Sequence, residues 1–139
     1  MNDQETGALL AEVKRHWEHW SRHLGLENWW IDVRFMDKTE QKTEAESEIE
    51  GSLTVTMHRD QYQRVYLKVN PDQSRSPFPL SRRVLHEACH VKYQVIDDYA
   101  HSTTPRCFHN NWDEIIETEC DNTASIIWRL HAETGCGEL

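Results

Sequence analysis

The chain is short of positive charge. Among its 139 residues, 15 are Lys or Arg and 24 are Asp or Glu, a formal net charge of −9 with His neutral. Unaided binding to nucleic acid draws on a basic face that displaces counterions from phosphates, so no direct nucleic-acid partner is expected. Docking on an anionic membrane surface is disfavoured for the same reason. No apolar run approaches the ~18–20 residues of a membrane-spanning helix, in keeping with a mean hydropathy of −0.81. The opening residues, Met1-Asn2-Asp3-Gln4-Glu5, lack the basic start and apolar stretch of a secretory leader. The four cysteines, Cys89, Cys107, Cys120 and Cys136, include no Cys-x-x-Cys pair, which speaks against a zinc ribbon or a thioredoxin-type motif. A cytoplasmic chain with reduced thiols is therefore expected. There is neither an internal repeat nor a dividing linker, and the length suits a single domain over 1–139.

What the sequence does hold is periodic. Leu10, Val13, Trp17, Trp20 and Leu24 recur at spacings of three and four. That stripe predicts a helix over 6–25, with Gly25 as its stop. Ile31, Val33 and Phe35 alternate with Asp32 and Arg34, which predicts a half-buried strand over 29–36. The same alternation predicts strands over 52–58 (Leu53, Val55, Met57) and 63–70 (Val65, Leu67, Val69). Residues 37–50, DKTEQKTEAESEIE, are polar and acidic with no clear apolar face and are expected to form an exposed loop. Ser81 to about Tyr99 reads as one helix, 100–111 as a loop, and Trp112 to about Ala132 as a last helix. This order of elements implies an α+β domain. Trp17, Trp20 and Trp128 fall on or beside apolar stripes and are expected in or at the edge of the core.

One motif carries chemistry. Leu85-His86-Glu87-Ala88-Cys89-His90 contains H-E-x-x-H. On a helix, His86 and His90 share a face and can reach one metal ion, and Glu87 projects beside them to take a proton from water. Zn²⁺ suits such imidazole ligands when one coordination position stays open. Composition alone predicts about 0.06 such matches in a chain of this length; a chance match is uncommon but not negligible in a chain rich in His and Glu, and its reading would be two solvated or capped helix histidines. A catalytic zinc site has a third protein ligand. Downstream, Glu117, Cys120, Asp121 and Ala124 lie at i, i+3, i+4 and i+7 and share one helix face. Small residues there let the helix approach, one carboxylate can face the metal, and the other can accept the spare N–H of a ligand histidine.

The pair of motifs, H-E-x-x-H followed by E-x-x-small-D-x-x-small, resembles the gluzincin metallopeptidases, the thermolysin-like group. The small size and the order of elements are similar to the minimal zincins of the ImmA/IrrE and phage types. The resemblance implies a zincin-like α+β domain with a small mixed sheet, a motif helix and a ligand helix. It implies Zn²⁺ held by His86, His90 and Glu117, Glu87 as general base, and Asp121 supporting a histidine ligand. It implies a zinc-dependent peptidase whose partner is a protein or peptide substrate. In related folds an edge strand before the motif helix holds an extended peptide, and Arg64–Val69 is the candidate for it. Two other readings stand beside this one: an interaction or regulatory module that keeps a zinc site without catalysis, and a zinc hydrolase of a non-peptide amide.

Within the site several assignments compete. Glu114 and Glu119 rival Glu117, because helical phase alone does not choose among them; the small residues at i+3 and i+7 and the acid at i+4 favour Glu117. His101 and His109 offer a histidine as third ligand, as in SprT-like zincins. They, Tyr93 and Tyr99 are also candidates to steady an oxyanion. Cys120 reads as a small packing residue rather than a thiolate ligand. His16, His19 and His23 on the first helix read as a solvated face, although His19 and His23 have metal-ligand spacing.

Overall fold

A computed structural model describes residues 3–46, 52–58, 63–74 and 76–134. The first helix, α1 (Asp3–Leu24), buries Val13, His16, Trp17, Trp20 and Ser21 along its apolar stripe. Gly25 ends it at φ +72°. The Leu26 amide donates to the Ser21 carbonyl at 2.8 Å, closing a Schellman turn whose apolar anchor, Leu26, is buried. Lys92 adds a 2.9 Å hydrogen bond to the Leu24 carbonyl.

Three strands follow: β1 (Trp30–Phe35), β2 (Leu53–His58) and β3 (Arg64–Val69). The sheet order is β1-β3-β2, with β1 parallel and β2 antiparallel to β3. Val65, Leu67 and Val69 point into the core with no exposed surface. The sheet order corrects one expectation. Arg64–Val69 is the central strand, not an edge; the edge strand that packs on the motif helix is β2. A crossover from β1 delivers β3 beside it in parallel, and the β2–β3 pairing then fills β3's other side.

The acidic segment is also corrected. Residues 38–46 are not a loop but a helix, α2 (Lys38–Glu46). Asp37 and Glu40 form a reciprocal capping box: the Glu40 amide donates to Asp37 Oδ1 at 2.8 Å and the Asp37 amide to Glu40 Oε1 at 3.1 Å. Lys68 on β3 anchors the same Glu40 at 2.6 Å. Capping and an ion pair hold this helix where an apolar face is missing. The rest of the expected loop, 47–50, lies outside the described residues.

The expected long helix is broken into α3 (Leu80–Lys92) and α4 (Gln94–Thr103) at Tyr93 (φ −88°, ψ 2°). A straight helix over both would run about 36 Å, well past the core. The break turns α4 back onto the last helix, where Ala100 is buried and the Tyr93 hydroxyl lies 2.9 Å from Thr123 Oγ1. The expected loop over 100–111 shrinks accordingly. Arg106–Phe108 is a 3₁₀ turn, and α5 spans His109–Thr134.

The fold is thus α+β with a small mixed sheet. Helix α3 lies at its centre, packed by α1, α5 and β2. Its Val84, Leu85, Ala88 and Cys89 have no exposed surface, and Trp20 Nε1 donates to the Ser81 carbonyl at 3.0 Å. Trp17 and Trp20 are core, as their stripe requires, whereas Trp30 is 70 % exposed. No described helix is long and apolar enough to cross a membrane.

Candidate metal centre

Burying one face of α3 decides what the other presents. With Val84, Leu85, Ala88, Cys89 and Val91 inside, His86, Glu87 and His90 are left half-buried on the side that faces α5 and the cleft. On α5, Ile116, Cys120 and Ala124 form the buried contact face. The two fully buried small residues let the helices approach closely, and Glu117 lies beside them toward α3. The Cys89 thiol is pushed up to about 12, chiefly by burial and then by the charge of Glu87. Burial likewise raises that of Cys120. Both behave as packing residues rather than thiolates. Cys89, Cys107 and Cys120 are free, and Cys136 lies outside the described residues.

Glu117 meets both histidines of the motif. His86 Nε2 lies 2.8 Å from Glu117 Oε1, and His90 Nε2 lies 2.8 Å from Oε2. The two Nε2 atoms face each other at 3.2 Å. Hydrogen bonds from His86 and then His90 hold the Glu117 carboxyl far below the usual carboxylate range. Two imidazole nitrogens and a carboxylate turned toward one point are a cation's donor set. An ion bonded at ~2.0–2.1 Å to two imidazoles in a tetrahedron separates their nitrogens by about 3.3 Å, close to the spacing between His86 and His90. The residues present therefore fit Zn²⁺. The side chains of His86 and His90 are 16 % and 22 % exposed and that of Glu117 is 53 %, so the cluster is open on one side. Comparison of the chain with protein-family models, curated proteins and solved structures finds no match.

The open side gives onto a cleft of about 360 Å³. Glu87, His86, Glu117 and Asp121 line it, with Leu53 from β2 and with Phe78, Arg82, Arg83 and Thr118. Asp121 Oδ1 lies 3.7 Å from His86 Nδ1, the nitrogen turned away from Glu117, and 3.6 Å from the Arg82 guanidinium. That places Asp121 on the correct side of His86, beyond direct hydrogen-bond length. Arg82 is itself fixed, over the Phe78 ring at 3.8 Å and bonded to Ser125 Oγ at 2.6 Å. Arg83 donates to Ser52 Oγ at 2.8 Å and to the Phe78 carbonyl at 3.0 Å. Neither arginine belongs to the two motifs. Their signal was position: Arg82 stands four residues before His86, one turn up the same helix.

The rival ligands lie elsewhere. Glu114 and Glu119 are exposed and do not join the cluster of His86, His90 and Glu117. His101 pairs with Asp113 at 2.8 Å and Asp97 at 3.7 Å and stacks on His109, ring centroids 4.7 Å apart. Tyr93 is engaged with Thr123, and Tyr99 is 68 % exposed. None of these four lines the cleft.

Proposed function

We propose that the protein is a zinc-dependent hydrolase that cleaves peptide bonds, with His86, His90 and Glu117 as metal ligands and Glu87 as general base. The observation that carries this reading is the convergence of the three donor groups, two of which, His86 and Glu117, line a cleft that Glu87 also lines. Bound zinc supplies Lewis-acid polarisation of a carbonyl and brings the pKa of water toward about 7. Glu87 takes the proton of the attacking water and passes it to the leaving amine. Asp121, 3.7 Å from His86 Nδ1, places its negative charge beside the nitrogen that does not face Glu117 and favours a proton there, which leaves Nε2 to ligate. Arg82 and Arg83 put fixed positive charge in the cleft wall, where a developing oxyanion gains from it. Leu53, at the start of the edge strand β2, belongs to that wall, so an extended peptide laid along β2 comes within reach of His86.

A purely structural zinc site has no use for a carboxylate at the position of Glu87. The variant Glu87→Gln separates the two readings. It keeps its zinc, measured by mass spectrometry under native conditions, and loses hydrolysis of a peptide library by roughly 10²–10⁴-fold. Hydrolysis at the wild-type rate in that variant would refute the mechanism.

A further inference from the structure

A second histidine cluster sits away from the cleft. His19 and His23 on α1 and His131 near the end of α5 bring one ligand atom each within 4.8 Å of the others. The ring centroids of His23 and His131 are 4.6 Å apart, those of His19 and His23 4.9 Å, and those of His19 and His131 5.4 Å. His131 is only 8 % exposed, yet its Nε2 has no hydrogen-bond partner, and neither has the buried Nε2 of His19. A buried ring nitrogen without a partner is costly, and two of them in one cluster call for a common ligand.

The donor set narrows what that ligand is. The backbone of Ile127, one turn back on α5, is the hydrogen-bonding partner of the His131 ring. Because Nε2 has no partner, the bond falls to Nδ1 and leaves the Nε2 lone pair free. That is the way protein scaffolds prepare a ligating imidazole. Burial, and then the neighbouring histidines, lower the pKa of His19; burial and then His23 lower that of His131. Three imidazoles with no carboxylate among them suit a late first-row divalent ion better than Mg²⁺ or Ca²⁺, which select oxygen.

We propose that His19, His23 and His131 form a second metal site, which takes Zn²⁺ or a similar late first-row divalent ion and ties the end of α1 to the end of α5. The tie joins residues about a hundred positions apart, across a chain whose first and last helices both lean on α3. Closing so long a loop through side chains stabilises the folded state by restricting the unfolded chain. Trp20 lies against this site, its ring centroid 4.7 Å from that of His131 and 4.6 Å from that of His19. The tryptophan therefore reports on occupancy. This site does not depend on the role proposed for His86, His90 and Glu117.

The test uses tag-free full-length protein stripped of metal, with Zn²⁺ and Cu²⁺ as probes. His23 is exposed, so His23→Ala spares the core. Zinc stoichiometry by native mass spectrometry falls by one equivalent in His23→Ala and in His131→Ala. The double variant His86→Ala/His90→Ala keeps one equivalent. Cu²⁺ quenches tryptophan fluorescence in that double variant and not once His131→Ala is added. At a hundredfold excess over its Kd, zinc raises the melting temperature of the double variant by roughly 8 °C. Unchanged stoichiometry in both His23→Ala and His131→Ala would overturn the proposal, whatever the motif histidines hold. Circular dichroism of the wild-type form in His23→Ala ensures that a loss of metal reports ligand removal rather than unfolding.

Discussion

Removing the Glu117 side chain separates two things that one carboxylate does. In the metal-free protein it accepts from His86 and His90, each at 2.8 Å. These bonds lower its pKa on folding. A carboxyl whose folded pKa lies below its unfolded value of about 4.3 stabilises the fold above that pH, and the contribution fades as pH falls through the folded value. The side chain is 53 % exposed, however, so solvent screens the pair. Its worth is that of a surface ion pair, about 0.5–1 kcal/mol. Glu117→Ala in the presence of chelator should therefore lower the urea-unfolding free energy by about that amount at pH 7, and the difference should shrink only as pH falls below about 4.3. Zinc affinity should respond far more. Loss of a partner that only supports a ligand costs about 10–100-fold in affinity, so loss of a ligand costs at least about 100-fold, or some 2.7 kcal/mol. The assay is competition with a fluorescent chelator, beside urea titrations of the same preparations. A zinc Kd within threefold of wild type, together with the small stability loss, would show Glu117 to be an ion-pair partner and not a ligand.

Two further outcomes follow from local geometry. Gly25→Ala places a Cβ whose nearest contact is Lys92 Nζ at an ordinary 3.8 Å, so the cost is the left-handed backbone at φ +72° alone; unfolding free energy should fall by about 1 kcal/mol, and an unchanged urea midpoint would contradict the Schellman turn. Native-state alkylation at pH 8 followed by peptide mass mapping should modify exposed Cys107 and spare Cys89 and Cys120, whose thiols burial keeps protonated; fast labelling of Cys120 would place it outside the α3–α5 contact.

Periodicity located most of the elements because burial enforces it. The α1 stripe ends in a core that encloses Trp17 and Trp20, and β3 alternates inward and outward as its Val and Leu positions require. Helix α2 was hidden for the converse reason. It has no apolar face, and its local signal was Asp37-x-x-Glu40, a cap rather than a stripe. The break at Tyr93 was illegible because both halves favour helix, and only packing of α4 on α5 requires the turn. Strand order is a long-range property, and nothing within Arg64–Val69 says that it lies between two neighbours. The same divide runs through the sites. His86, Glu87 and His90 are spaced by one helix, whereas the meeting with Glu117 needed the choice among three acids that α3–α5 packing makes. His131 stands more than a hundred residues from His19 and His23, and no spacing rule connects them.

Metal-dependent cleavage is tested most directly by a peptide-library digest read by mass spectrometry. The purified chain is assayed with zinc, after chelation, and after zinc is restored. Cleavage is expected with zinc, none after chelation, and recovery on its return, with Glu87→Gln inactive throughout. Cleavage that survives chelation, or a zinc-loaded chain that cleaves no peptide, would contradict the proposed function.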